Sequence, residues 1–198
     1  MMAVIITVII LSVIAYLIGS LSSAIIVCKF LNLPDPRTQG SMNPGTTNVL
    51  RIGGKIPALV TLSGDILKGF LPVLVGHLVG ISGFFLGLIA ISAFLGHLFP
   101  LFFNFQGGKG VATALGVFLA LSPIVGIAVI ICWILVAAIF RYSSLAALVA
   151  AILAPILILV FADMGYFLPT LAITAMLFWR HLGNIQRLRA GTEGKINF

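Results

Sequence analysis

The sequence predicts an all-α integral membrane protein of about seven transmembrane helices, with its N-terminus outside and its C-terminus in the cytoplasm. Three observations predict it. Of 198 residues, 61% are hydrophobic and only 8% are charged, whereas a soluble domain carries about 25% charged residues. Several runs reach the roughly 18 uncharged residues needed to cross a hydrocarbon core about 30 Å thick. The basic residues fall only on alternate connections between these runs.

The apolar segments are, in order, residues 2–30, 57–80, 84–103, 111–121, 123–140, 144–161 and 167–179. Residues 1–27 hold no charged side chain and no small-residue cleavage site, so the first segment is expected as a retained helix and not a signal peptide. Segment 111–121 is short for a full span and is read as tilted, re-entrant or continued by its flanks. Connections 81–83, 122 and 162–166 lie on one side. Connections 31–56, 104–110 and 141–143, with the tail from Arg180, lie on the other. Lys29, Arg37, Arg51, Lys55, Lys109, Arg141, Arg180, Arg187, Arg189 and Lys195 all fall on this second side, and no Lys or Arg falls on the first. That asymmetry makes the second side cytoplasmic. A five-crossing arrangement with two re-entrant segments also keeps most basic loops inside. No internal repeat or low-complexity linker divides the chain, so residues 1–198 read as one membrane-embedded domain.

The net charge of +7 belongs to this topology. No basic run with interleaved aromatics is present, so the chain has no nucleic-acid footprint. Cys28 and Cys132 lie in apolar runs and form neither a disulfide framework nor a zinc site. A single carboxylate, Asp65, lies inside a segment, which leaves no basis for a carboxylate-bound magnesium site.

Polar residues gather in the cytoplasmic connections. The stretch Gly40-Ser41-Met42-Asn43-Pro44-Gly45-Thr46-Thr47-Asn48, followed by Arg51, combines glycines, hydroxyls and amides with a guanidinium. Such a loop can turn backbone N–H groups toward an anion, and a helix starting near Thr47 would add its N-terminal dipole. It reads equally as a turn-rich hairpin between membrane helices. Gly107-Gly108-Lys109-Gly110 places one ammonium among three glycines, which suits close approach of a phosphate. The plainer reading is a topology charge, but a topology charge needs no glycine cage. Asp65 and Lys68 lie three apart on one helix face. A mid-bilayer charge costs about 2.5–3.5 kcal/mol on insertion scales, so the two read as a mutual ion pair or as functional groups. His181, Asn184 and Arg187 recur at helical spacing and form a polar stripe or an interfacial amphipathic helix. His97 stands about two turns from the cytoplasmic end of its segment. No Gly-x-Ser-x-Gly elbow and no His-x-x-x-x-Asp motif occur.

On these residues the sequence resembles the bacterial acyl-phosphate:glycerol-3-phosphate acyltransferases. Gly40 through Arg51 matches that family's first cytoplasmic motif, with Met42 and Thr46 where the family has small residues. Gly96-His97-Leu98-Phe99-Pro100 and Gly107 through Thr113 match the second. Arg180-His181, Asn184-Ile185, Arg187-Leu188, Gly191 and Glu193 match the third. Asp65-x-x-Lys68-Gly69 and Arg141-Tyr142-x-Ser144-Leu145 are shorter matches.

The resemblance implies a multi-pass bacterial inner-membrane enzyme, working at the cytoplasmic face without metal or organic cofactor. It implies transfer of an acyl group from acyl phosphate to glycerol 3-phosphate, giving 1-acyl-glycerol 3-phosphate (lysophosphatidic acid) and phosphate, in phospholipid biosynthesis. Membrane lipid surrounds the site, and the expected working unit is a monomer. Under this reading Lys109, His181, Asn184, Thr47, Ser144 and His97 are the catalytic candidates. Ser41, Asn43, Gly45, Thr46, Asn48, Arg51, Gly107, Gly108, Gly110, Arg187, Glu193, Asp65 and Lys68 are the substrate-binding candidates. The proton acceptor is His97, His181 or a substrate phosphate oxygen. The alternative function is a small anion or organophosphate transporter, which would need polar residues reaching both faces, and the outer connections here are short and apolar.

Overall fold

The computed structural model describes residues 1–196, and among them every regular element is helical. The helices are α1 (Met2–Gly19), α2 (Ser23–Phe30), α3 (Thr46–Gly53), α4 (Lys55–Leu78), α5 (Gly83–Leu98), α6 (Val111–Leu121), α7 (Pro123–Phe140), α8 (Ser143–Phe161), α9 (Phe167–Arg180) and α10 (Leu182–Arg189). Short 3₁₀ turns at Leu101–Phe103 and Met164–Tyr166 extend α5 and precede α9.

Five stretches are long and apolar enough to cross a membrane: Met2–Phe30, Lys55–Leu78, Gly83–Phe103, Pro123–Phe140 and Ser143–Phe161. The other two expected segments are shorter. With 11 residues, α6 rises only about 16 Å at 1.5 Å per residue, half of a hydrocarbon core. With 14 residues, α9 rises about 21 Å.

The first segment is not one rod. Backbone helix ends at Gly19, Ser22 is extended, and α2 restarts at Ser23. The local sequence Gly-Ser-Leu-Ser-Ser supplies the reason, since Ser side chains compete with the helical backbone for hydrogen bonds. The break frees the Leu21 carbonyl, which accepts a hydrogen bond from Lys68 Nζ at 2.8 Å. The 31–56 connection likewise contains more structure than a loop, because α3 occupies Thr46–Gly53.

The core positions the site. Helix α4 packs against α6 and also touches α1 and α5. Close approach depends on small residues. A Cβ on Gly69 or Gly116 would collide with the carbonyls of Thr113 and Ile66 across the α4–α6 contact. Phe94, Phe118, Leu86, Ile89, Ile158 and Ile173 are fully enclosed. Ile127, Ile131, Ile134 and Leu135 of α7 lie on the outer surface, an apolar periphery suited to lipid. The bundle closes where α9 meets α5 and α8.

Candidate active site

Four connections that are far apart in sequence meet at one end of the bundle, joined by side-chain hydrogen bonds. Lys109 Nζ donates to Asn184 Oδ1 at 2.6 Å, tying the 104–110 loop to α10. Asn184 Nδ2 donates in turn to Glu193 Oε1 at 2.6 Å. Ser144 Oγ, in the first turn of α8, donates to the same oxygen at 2.7 Å. Arg187 Nε donates to Glu193 Oε2 at 2.7 Å. The Thr47 and Ser143 hydroxyls are 3.4 Å apart, joining α3 to α8. The tail is pinned by Ile196 N–H donating to the Arg141 carbonyl at 2.7 Å and by Lys195 over the Tyr142 ring.

The chain reaches this arrangement through its glycines. A Cβ on Gly107 would collide with the His97 and Leu98 carbonyl oxygens, and one on Gly108 with His97 Nε2. Gly110 at φ +85° turns the loop into the first residue of α6. Arg180 closes the loop from the other side: its Nε donates to the Gly108 carbonyl at 3.1 Å and its Nη2 to that of Gly107 at 2.8 Å. Beside it opens a polar cleft of about 310 Å³, lined by Arg37, Met42, Pro44, Phe105, Gln106, Gly107 and Arg180.

Electrostatics follow from the crowding. Burial pushes the Lys109 ammonium down to about 8; Glu193 opposes the shift, while Arg187, Arg180 and Arg51 add to it. Burial also pushes His181 down to about 4, against the hydrogen bond to the Leu177 carbonyl. His181 is therefore neutral near pH 7. Its Nδ1 lies 2.8 Å from that carbonyl, which only accepts, so Nδ1 carries the proton and Nε2 keeps its lone pair. Burial would raise Glu193, but hydrogen bonds from Ser144, Asn184 and Arg187 outweigh it and hold the carboxyl below its usual value.

The candidate residues divide into three groups. Lys109, Asn184, Ser144, Arg187 and Glu193 form one hydrogen-bonded cluster, with Arg51 close to the tail at Gly194. His181 precedes α10 at its N-cap. The second group shapes the 40–48 loop. Asn48 is 2% exposed, its amide donating to the Pro36 and Gln39 carbonyls at 2.8 and 2.9 Å and its oxygen accepting from Ser41 N–H at 2.8 Å. Both ends of its amide are engaged within the loop itself. Gly45 caps α3, the Asn43 amide lies against it, and the Thr46 hydroxyl is enclosed without a partner among the described residues. The third group is separate. Asp65 and Lys68 are buried inside the bundle as an ion pair at 2.8 Å. They lie beside His97 and outside the hydrogen-bonded Lys109 cluster. Arg180 was not among the expected site residues. It stands next to His181 in sequence, yet its role depends on the fold bringing Gly107 within reach.

This geometry invites comparison with known proteins. The family model described as glycerol-3-phosphate acyltransferase matches residues 9–191.

The chain belongs to the glycerol-3-phosphate acyltransferase family.

Relatives of that name support it. One from Halorhodospira halophila is 54% identical over 189 residues, covering 95% of this chain and 96% of the relative. One from Thioalkalivibrio sulfidiphilus is 52% identical over 183 residues, covering 92% and 90%. The fold is similar to crystal structures of PlsY (YgiH), an integral membrane glycerol 3-phosphate acyltransferase. Its glycerol 3-phosphate form superimposes with a TM-score of 0.92 at 37% identity, covering 96% of each chain. Its lysophosphatidic acid form gives 0.90 at the same identity and coverage. By family membership this member is a multi-pass membrane acyltransferase.

Proposed function

We propose that the chain transfers an acyl group from acyl phosphate to a hydroxyl of glycerol 3-phosphate, releasing 1-acyl-glycerol 3-phosphate and inorganic phosphate. The observation that carries this reading is the Lys109 cluster. The guanidinium groups of Arg51, Arg180 and Arg187 all act electrostatically on the Lys109 ammonium at the end of an apolar bundle. Both substrates carry phosphate, and one of them has a lipid tail. A cationic site where a bundle meets the aqueous phase suits both.

The chemistry asks little of the protein. Phosphate is a good leaving group, so positioning and stabilisation of developing negative charge dominate. The hydroxyl oxygen bonds the acyl carbon, the carbon–oxygen bond to phosphate breaks, and the hydroxyl proton leaves with the phosphate. Lys109 and Arg51 hold phosphate oxygens. Ser41 and Asn43 from the loop and Thr47 from the first turn of α3 supply hydrogen bonds, while Asn184 and His181 orient the acceptor. Ser144, Arg187 and Glu193 keep Asn184 in register.

The proposed setting is a bacterial inner membrane crossed seven times, with α1 and α2 as one broken crossing. The short α6 and α9 count as crossings completed by their flanks. The basic connections and the site face the cytoplasm, Met1 lies outside, and one chain is the working unit.

Purified protein incubated with acyl phosphate and labelled glycerol 3-phosphate tests the reaction. Equimolar formation of lysophosphatidic acid and phosphate is expected. No product from acyl phosphate, or equal turnover with acyl-CoA, would overturn the donor assignment.

A further inference from the structure

The backbone of the glycine-rich loop is satisfied on one side only. The Gly107 carbonyl accepts a hydrogen bond from Arg180 Nη2 at 2.8 Å, and the Gly108 carbonyl accepts one from Arg180 Nε at 3.1 Å. The N–H groups of Gly108, Lys109 and Gly110 make no hydrogen bond among the described residues. Gly108 and Gly110 are nonetheless buried, and Lys109 is half-buried. Buried backbone donors are almost always paired, so successive donors without a partner point to an acceptor that binds there. Lys109 brings its ammonium to the same loop, which makes that acceptor an anion.

Peptide planarity links the two sides. In a trans peptide the C=O and the N–H that follows it point in opposite directions. The Gly107 and Gly108 carbonyls meet one guanidinium, so the N–H groups of Gly108 and Lys109 point away from it, side by side. Holding two adjacent carbonyls takes two donors at a fixed spacing, which a guanidinium has and an ammonium lacks. The fork is itself held in place. Arg180 lies over the Trp179 ring, 5.6 Å from its centroid, and Trp179 packs on Phe99 at the end of α5 with ring centroids 6.0 Å apart. A cation placed for topology alone needs neither the paired carbonyls nor the stack.

We propose that Arg180 is a positioning residue for substrate binding: by holding the Gly107 and Gly108 carbonyls it aims the N–H groups of Gly108 and Lys109 at a substrate phosphate, which they bind together with the Lys109 ammonium. Arg180 acts through the loop and not on the substrate, because its Nε and Nη2 donors are engaged on the face opposite those N–H groups. Without the fork both peptides are free to rotate, and a phosphate must order them as it binds. That cost weighs on the bound substrate and the transition state alike, so it falls on KM more than on kcat.

The proposal rests on the acyl-phosphate reading for its kinetic arm alone, and turnover by the unaltered protein checks that reading separately. The test is Arg180→Lys, which keeps the charge and removes the fork. The readouts are kcat, KM for each substrate in turn, and amide NMR of Gly108 and Lys109 during titration with inorganic phosphate and with glycerol 3-phosphate. The expected result is a rise of at least about tenfold in KM for at least one substrate, with kcat within about threefold. The substrate whose KM rises is the one whose phosphate the loop holds. In the unaltered protein both amide signals should move downfield with at least one of the two anions, and in Arg180→Lys that response should need at least about tenfold more anion. Should Arg180→Lys fail to fold, Arg180→Gln takes the same readouts. KM values for both substrates within about twofold of the unaltered protein would overturn the proposal. So would a lowered melting temperature with unchanged KM, which would mean that Arg180 only braces the loop, and so would Gly108 and Lys109 amides that respond to neither anion in the unaltered protein.

Discussion

Lys109 Nζ and Asn184 Oδ1 are 2.6 Å apart, and this single hydrogen bond joins a glycine-rich loop to a helix 75 residues later in the chain. It aims the ammonium by its neutral side. Asn184 accepts from Lys109 with one end of its amide and donates to Glu193 with the other. The cation is therefore oriented without being neutralised by a carboxylate in direct contact, and its remaining donors stay available to an anion.

That geometry predicts a pH profile. Lys109 sits near 8, so its ammonium is charged below that pH and is lost as pH rises through it. Profiles of kcat/KM, which report the free enzyme, are expected level near pH 7 and falling about tenfold per unit above 8. Bound phosphate favours the charged form, so kcat should fall only at higher pH. His181, near 4, contributes no inflection between pH 5 and 8. A kcat/KM that keeps rising through pH 9 would remove the Lys109 ammonium from substrate binding.

The two loop glycines predict different failures. At Gly107 a methyl group meets the His97 and Leu98 backbone carbonyls, whereas at Gly108 it meets first the His97 ring and then the Pro44 carbonyl oxygen. Gly107→Ala should lower the melting temperature measurably, as overpacking by a methyl group costs about 1–3 kcal/mol. Gly108→Ala should lower melting less than Gly107→Ala does and lower kcat/KM by about tenfold or more. Thermal melts and kinetics on both proteins check this. Equal behaviour of the two would mean that the loop yields as a whole.

Topology is open to labelling. Thr38 is exposed in the 31–45 connection. Thr38→Cys in a protein lacking Cys28 and Cys132 should react with an impermeant thiol reagent only after cells are opened. Reaction in intact cells would invert the orientation and move the site to the outer face.

The helical fold and the two-sided charge pattern were legible because each is carried by composition along the chain: long apolar runs, and cations on alternate connections. The motif residues were legible as polar clusters, and Lys109 stood out by its glycines. What could not be read depends on distance in space. Nothing adjacent to Arg180 reveals that its donors reach Gly107 and Gly108. Nor does the sequence reveal that the Asn48 amide bonds to Pro36, Gln39 and Ser41 within its own loop. The break at Ser20–Ser22 was written in the local sequence but masked by hydropathy, which averages the serines at 20, 22 and 23 into an apolar run. Asp65 and Lys68 were legible as a pair by spacing. Their link to His97 requires knowing that α4, α5 and α6 converge.

The most direct test of the account is the behaviour of Lys109. Lys109→Ala, measured in folded and membrane-inserted protein, should lose about 3–4 kcal/mol of transition-state stabilisation, a fall of two to three orders of magnitude in turnover. Lys109→Arg should recover only a small fraction, because a planar guanidinium does not reproduce the contact that the compact ammonium makes with Asn184. Lys29→Ala is the matched control, an exposed cation at the end of α2, and should change little. Lys195 is a poorer control because it stacks over Tyr142 in the tail. Near-normal turnover by folded Lys109→Ala would contradict the account and return that lysine to a topology charge.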